Sequence, residues 1–478
     1  MGFMVTPLGI IRQQIRELML ATPECDFEVD DKIIDDFSGV RLRYDKDQVQ
    51  CNYVNSDSNL VPTALHTSFN SNMDELINEL SDSKHDLYIK RPPNFRALGT
   101  PLKTMEAMSK KSFQHQGLVR ECELEYIKAC VDTLLVDFSD LTDEETAFGC
   151  EGVVPLNKDS SNGYGWDKSK LTYFDFDKRE ITPDGRKMID GFEHDALADE
   201  FNLRNFLTRE ALKDELRKEA KVNEPRTFRV MPVPHIFWTK KICGHLVKHF
   251  KDNRYETGCC VGLNPYKDFS VIYRQLKQCV ITGDIDFSKW DGSVVSLIME
   301  AIGECLLRRY KGVHRKVFEY VLLTMTRSFT LAGDSLWATT HGLPSGTWLT
   351  LLMNCLLNRS LTALTIYRNK ENANVEDFRK VVDFVVGDDK IFGVVKGMEH
   401  VVNLQTIAKV ASSLGMACTN GDKTPITSIS QPLENLSFVK RIFKFHPNLG
   451  IVGALDLSTL INTLQWYDKT RDYDVVME

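Results

Sequence analysis

The sequence predicts an α+β fold built from antiparallel hairpins interspersed with helices, on three observations. DFVVGDDKIFGVV (383–395) is two apolar β runs around Gly-Asp-Asp, which is the pattern of a hairpin. A second hairpin is written in SFVKRIF (437–443) and LGIVGAL (449–455). Helices are interspersed among these antiparallel hairpins, which indicates an α+β core and not a doubly wound parallel sheet.

In chain order, residues 1–160 read as mixed and loop-rich, with polar clusters such as NSDSN (55–59). NLRNFLTREALKDELRK (202–218) has the apolar spacing of a helix with charge on one side. Pro225, Pro232 and Pro234 then interrupt any helix, and FRVMPV between them reads as extended. CVITGDIDF (279–287) is β-rich, and VVSLIMEAIGECLLRR (294–309) is an amphipathic helix. FTLAG (329–333) and SLWATT (335–340) flank a turn at Asp334. A glycine loop leads into an apolar helix, TWLTLLMNCLLNRSLTAL (347–364), and a further helix is expected over about 399–414. No period of 20–50 residues recurs, which argues against a solenoid or propeller.

The 478 residues suggest about three domains, or one large enzyme of several subdomains. With 42% hydrophobic and 26% charged residues the chain can bury a sizeable core. No apolar run approaches the roughly 18 residues of a membrane span. The opening MGFMVTPLGIIRQQ lacks the pattern of a secretory signal. The 12 cysteines are scattered without a CxxC pair, as reduced thiols in a cytosolic enzyme would be. The formal charge is −8, but it is uneven: residues 1–80 hold 6 Lys and Arg against 14 Asp and Glu, whereas residues 203–254 hold 13 against 6. That basic stretch could face an anionic partner, or be a solvated helix face.

The carboxylates carry the chemistry. If Asp286 ends its strand, Asp291 of GDIDFSKWDGSV begins the next helix, and Asp388 and Asp389 sit at the hairpin tip. Asp286 and Asp388 on adjacent strands would form a concentrated negative site, which two Mg²⁺ ions about 3.5–4 Å apart would relieve. Taken alone, a Gly-Asp-Asp is more often a plain turn. HGLPSGTWLTLLMN (341–354) places Ser345 and Gly346 in a flexible loop, with Thr350 and Asn354 four apart on one helical face. These groups could read a ribose hydroxyl; alternatively Ser345 caps the helix and Asn354 is a tolerated polar residue. Lys213, Arg217, Lys221, Arg226 and Arg229 could converge on a triphosphate.

Together these segments resemble the RNA-dependent RNA polymerases of positive-strand RNA viruses, most closely the picornavirus-like group. Asp286…Asp291 is similar to that family's first palm motif, PSG…Thr350…Asn354 to the second, and GDD at 387–389 to the third. GMACTNGDKT (415–424) resembles the fourth, with Lys423 near the nucleotide. NLSFVKRIF (435–443) resembles the primer-grip hairpin, placing Lys440 and Arg441 at the primer. KDELR…Lys221…Arg226 resembles the fingertip motif, and SSNGYGW (160–166) the template-entrance loop, so Ser161, Gly163 and Tyr164 would touch RNA. The chain departs from the family pattern at Val386 before GDD, at Phe228 in place of a basic residue, and at the bulky Trp348.

The resemblance implies a right-hand polymerase with an antiparallel palm sheet. Fingers would span 1–243, with fingertips and an NTP-entry motif near 203–232, and an insertion at 291–348. Palm would span 244–290 and 349–445, the latter including the primer-grip hairpin, and 446–478 would form a thumb shorter than the family's. The implied reaction is attack of an RNA 3′-hydroxyl on the α-phosphate of an NTP, with release of pyrophosphate, in viral genome replication. Asp286 and Asp388, assisted by Asp389, would hold two Mg²⁺ ions, for which Mn²⁺ could substitute. Lys423 would be the general acid for pyrophosphate, and Asp291 with Ser345 and Asn354 would select the 2′-hydroxyl. Template and primer RNA, NTPs, a genome-linked protein primer and other viral replication proteins are the expected partners, at replication complexes in the host cytoplasm.

Two other classes share parts of this pattern. A reverse transcriptase has the same palm carboxylates, but the Asp291/Asn354 pair points to RNA synthesis. An RNA-binding scaffold with a vestigial palm would have no use for uncompensated Asp286, Asp388, Asp389 and Lys423. Cys243, His245 and His249 offer metal-ligand types without an obvious fourth ligand, so a helix with two histidines is the preferred reading over zinc. Met1-Gly2 with Thr6 formally fits an acylation pattern, but no second membrane signal follows. Gly2 is instead expected to begin a polyprotein cleavage product, with Met1 added for expression.

Overall fold

A computed structural model describes residues 119–198, 202–212, 226–326 and 342–455, with shorter stretches between 42 and 96, at 216–217, and within 328–339 and 457–468. At its centre is a four-stranded antiparallel sheet. Its strands are β1 (Ile281–Ser288), β2 (Val381–Val386), β3 (Asp389–Val394) and β4 (Ala417–Thr419), in the order β2-β3-β1-β4. The hairpin β2–β3 is joined by Gly387 and Asp388 alone, because Val386 pairs with Asp389. Gly387 has φ +68, the left-handed conformation that a two-residue hairpin turn requires at its first position.

Alternation along the strands gives the sheet two chemically different faces. Ile281, Ile285, Phe287, Val385 and Phe392 face the main apolar core. Phe384 and Ile391 face a smaller core with Phe269, Ile272, Leu276, Phe438 and Phe443. The helix Thr350–Asn369 lies against β2 on the main-core side and touches the helices Glu121–Asp132, Ser296–Arg309 and Leu404–Ser413. Leu352 to Ile366 are buried without interruption, so this helix is enclosed on all sides. The helix Leu404–Ser413 approaches the sheet where β1 has no side chain: a Cβ on Gly283 would lie 2.8 Å from Leu404 Cδ2.

A second, six-stranded sheet orders Leu42–Asp45, Gln50–Val54, Ser335–Thr339, Ser328–Ala332, Leu207–Leu212 and Thr227–Val230. The helix expected over 202–218 is a 3₁₀ turn at Leu203–Asn205, then the strand Leu207–Leu212, with a further short strand at Leu216–Arg217. The strand pairs in parallel with Ser328–Ala332 and antiparallel with Thr227–Val230. Ladder bonds on both edges and a buried Glu210–Arg229 contact outweigh the local helical spacing.

The helix placed at 399–414 starts at Leu404, because Asn403 caps it by accepting from Thr406 N at 3.0 Å. The run 437–443 is not one strand. It reverses between Phe438 and Arg441, with Val439 and Lys440 at φ 48 and 60, and the strand Arg441–His446 then pairs with Gly450–Leu455. Left-handed backbone at both central positions is a type I′ turn, strained at a β-branched valine. Asp286 does not end its strand, which runs on to Ser288. Among the described residues, no helix is long and apolar enough to cross a membrane, and the cysteines are free thiols.

Candidate active site

Register brings the acids together. β1 and β3 pair antiparallel through Ile285↔Lys390, and one further step along that register sets Asp286 opposite Asp389. Asp388 occupies the turn beside them. The three carboxylates act on one another. Loss of surrounding water is the larger influence and pushes the Asp389 carboxyl up to about 6, with the charges of Asp388 and Asp286 pushing the same way. Lys423 and Lys440 pull it down less strongly. Asp388 reaches solvent, yet partial desolvation, then Asp291 and Asp286, still raises its carboxyl, while Arg226 acts in the opposite sense.

Asp286 carries the counter-charge: the exposed Lys423 ammonium forms an ion pair with its Oδ1. Lys423 is set by a turn in which its own N–H donates to Asn420 O at 2.9 Å, at φ 70. Among the described residues, no group of three or more His, Cys, Asp or Glu side chains is drawn tightly enough to form a ready-made metal cage. The chemistry nevertheless fits a divalent cation: hard oxygen donors converge, burial and then the neighbouring carboxylates favour the protonated forms of Asp388 and Asp389, and a cation already sits on Asp286.

Asp291 and Asn354 are also brought together. Asn354 Nδ2 donates to Asp291 Oδ1 at 3.1 Å, and Asn354 Oδ1 accepts from Trp290 Nε1 at 2.8 Å, which fixes the amide's orientation. Asp291 lies in a separate short helix, Trp290–Ser293, ahead of the helix expected from 294, which starts at Ser296. Ser345 and Gly346 are seated on the strand Thr227–Val230: Arg229 N donates to Ser345 O at 2.6 Å, and a Cβ on Gly346 would lie 2.0 Å from Arg229 O. Ser345 does not cap the helix, which starts at Thr350 after Leu349. The Thr350 hydroxyl donates to Pro344 O at 2.9 Å and accepts from Gly346 N at 3.3 Å, so it ties the loop together.

The basic residues are placed unequally. Arg226 lies near enough to Asp388 to influence its charge. Arg229 is buried, and its Nε donates to Glu210 at 2.9 Å. Lys213 and Lys221 lie outside the described residues, as does the side chain of Arg217. Lys440 sits in the strained turn within electrostatic reach of Asp389, whereas Arg441 donates to Gly453 O at 2.7 Å. At the other end, Gly163 packs so closely on residues 231–232 that a Cβ would lie 2.7 Å from Met231 O. Ser161 Oγ accepts from Gly163 N at 3.2 Å, and Tyr164 is half-buried against the main core.

Several functional side chains escape sequence reading. Cys355 Sγ accepts from Gly387 N at 3.3 Å, and buried Asn358 Nδ2 donates to Gly387 O at 3.3 Å and Asp388 O at 3.2 Å. The turn that carries Asp388 is therefore held from below. The signal was present: Thr350, Asn354, Asn358 and Thr362 recur every four residues, a polar stripe along one face of a largely apolar helix. Buried Asp284 accepts from Gly421 N at 3.0 Å and Ser437 N at 2.7 Å, joining β1 to both neighbouring loops.

Residues 61–477 match a protein family described as viral RNA-dependent RNA polymerase. An RNA1 polyprotein of Tomato ringspot virus is 28% identical over 261 residues, 53% of this chain. The genome polyproteins of Theiler's murine encephalomyelitis virus (strain GDVII) and Human klassevirus 1 are 25% and 27% identical over 67% and 68% of the chain. The chain spans only 12–14% of the length of these relatives. Its fold is similar to that of a sicinivirus 3Dpol RNA-dependent RNA polymerase, with a TM-score of 0.73 at 16% identity, over 88% of this chain and 87% of the other.

Proposed function

The chain belongs to the viral RNA-dependent RNA polymerase family, with its right-hand fold, and from that premise we propose that it copies RNA for viral genome replication. The observation that carries this reading is the register that sets Asp286 opposite Asp389 with Asp388 in the turn, beside an Asn354–Asp291 pair suited to a ribose hydroxyl. Divalent metal ions are general to the family; two Mg²⁺ ions, with Mn²⁺ as a substitute, are the proposed complement here. Bound at Asp286, Asp388 and Asp389, they supply positive charge that favours loss of a proton from the attacking 3′-hydroxyl and departure of pyrophosphate.

The chain's own residues do the rest. Beyond the bond they make to each other, Asn354 has a second amide hydrogen and Asp291 a second carboxylate oxygen, a donor and an acceptor that a 2′-hydroxyl pairs and a deoxyribose leaves unmet, which can discriminate by about 10⁴-fold. Lys423 is the proton donor for the leaving pyrophosphate. It must first give up Asp286, to which it is paired in the free protein. Arg226 is the described basic residue best placed to meet a triphosphate near Asp388. The proposed fingers are 1–243 and 291–348, the palm 244–290 and 349–445, and the thumb 446–478. In support, the six-stranded sheet draws only on the two finger segments and the four-stranded sheet only on the two palm segments. Template and primer RNA, a genome-linked protein primer and replication complexes in the host cytoplasm belong to the same proposal.

The test is extension of a primed RNA template with NTPs and Mg²⁺, repeated with Asp388→Asn and with dNTPs. Activity that depends on Asp388 and prefers NTPs is expected. A preference for dNTPs would place the chain with reverse transcriptases, and RNA binding without extension would make it a scaffold.

A further inference from the structure

Behind the catalytic turn, on the main-core face of the sheet, lies a buried group of charges that the reaction does not use. Asp383 on β2 and Lys390 on β3 are fully enclosed, and Arg359 of the helix Thr350–Asn369 is nearly so. Lys390 Nζ is 3.0 Å from Asp383 Oδ1, and Arg359 Nη1 is 2.7 Å from Asp383 Oδ2. These are contacts of charge without aligned hydrogen bonds: Asp383 Oδ1 and Arg359 Nη1 make none. The aligned bonds run through Thr362. Its hydroxyl donates to Asp383 Oδ2 at 2.5 Å and accepts from Lys390 Nζ at 2.6 Å.

One hydroxyl thus links both strands of the hairpin to the helix. That helix holds the Gly387–Asp388 turn through Cys355 and Asn358, and carries Asn354 one turn further toward its start. Two cations against one anion in an enclosed site are costly to bury, and such a group is retained where it specifies a geometry.

We propose that Thr362, bridging Asp383 and Lys390, is a positioning residue that sets the register of the catalytic hairpin against the helix bearing Asn354. On this inference, which rests on the polymerase reading, the metal-holding carboxylates and the ribose-reading amide are kept in one frame. A slip at the joint moves them relative to each other, so it alters sugar selection as well as rate.

Thr362→Val keeps the shape and all three charges and removes the bridge; Thr362→Ser restores it. In metal-free full-length protein, amide hydrogen exchange across 384–390 is expected to rise about fivefold to tenfold in Thr362→Val, the loss of one hydrogen bond. In Thr362→Ser it should return to the parental rate. In primed extension the NTP-to-dNTP preference should fall by a similar factor, with KM for NTP near the parental value. A merely structural role would lower the active fraction and leave that preference unmoved. Lys390→Met, which removes the other end of the bridge, is expected to show the same pair of changes if Thr362→Val folds poorly. Parental exchange in both variants overturns the inference, and so does raised exchange with unchanged sugar preference. A parent protein that extends no RNA sinks the polymerase reading instead, and the exchange comparison then decides the inference alone.

Discussion

Asp383 and Asp389 lie six residues apart on one hairpin, and the protein treats them in opposite ways. Asp383 is enclosed beside Arg359 and Lys390; burial opposes its charge, but the two cations outweigh it and hold the carboxyl below its usual range. Asp389 stands nearer the rim, where loss of surrounding water, with no cation close enough to outweigh it and Asp388 and Asp286 adding to it, pushes the carboxyl up to about 6. The same side chain is an element of structure where cations satisfy it, and an element of chemistry where like charges are left facing one another. The contrast repeats on β1, where Asp284 and Asp286 are neighbours on one face. Asp284 is consumed by Gly421 and Ser437, while Asp286 is held by the exposed Lys423 ammonium alone among the described ion pairs.

Breaking this contrast at both ends gives the largest effects. Asp388→Asn should lower RNA extension by about 10³-fold, the scale of losing a central electrostatic group, with a melting temperature no lower than the parent's because a repulsion is removed. Asp383→Asn should do the reverse. Leaving Arg359 and Lys390 enclosed without their anion should cost about 3–5 kcal/mol in urea unfolding. Equal destabilisation by the two variants would erase the distinction between rim and interior.

The pH dependence sharpens it, since the two kinds of acid have opposite sign. Glu123 is enclosed; burial raises its carboxyl, but Arg368 and Arg120 more than offset this and lower it to about 2. It therefore contributes stability above its unfolded value of 4.5, which is lost as pH falls toward 2. The stability gap between the parent and Glu123→Gln should close over that range. Asp389 is raised in the folded protein, so its ionised form opposes folding above about pH 6 and is relieved as pH falls toward 3.8. In metal-free protein Asp389→Asn should be the more stable at pH 7, with the gap closing on acidification; thermal melts across pH check both signs.

Asp284→Asn should cost about 1–3 kcal/mol, because an amide cannot accept from all the donors now aimed at the carboxylate. The smallest effect is expected at exposed Arg226. Arg226→Ala should raise KM for NTP about twofold to fivefold, less at high salt, as solvent-screened contacts do.

The local chemistry of the palm was legible from residue order. Gly387 can only be a turn between two apolar runs, the period of two places Asp284 with Asp286, and the spacing of four places Asn354 below Thr350. The strand at Leu207–Leu212 was not, because its helical spacing is local and the two ladders that override it come from residues about 20 and 120 positions away. Nor could the chain order say which acid would be enclosed. Asp389 and Lys390 are adjacent and point to opposite faces, but only packing decides that a helix bearing Arg359 and Thr362 covers one face and leaves the other carboxylates at the rim. Alternation is a property of the backbone, whereas the cost of a charge depends on what else the fold brings within a few ångströms of it.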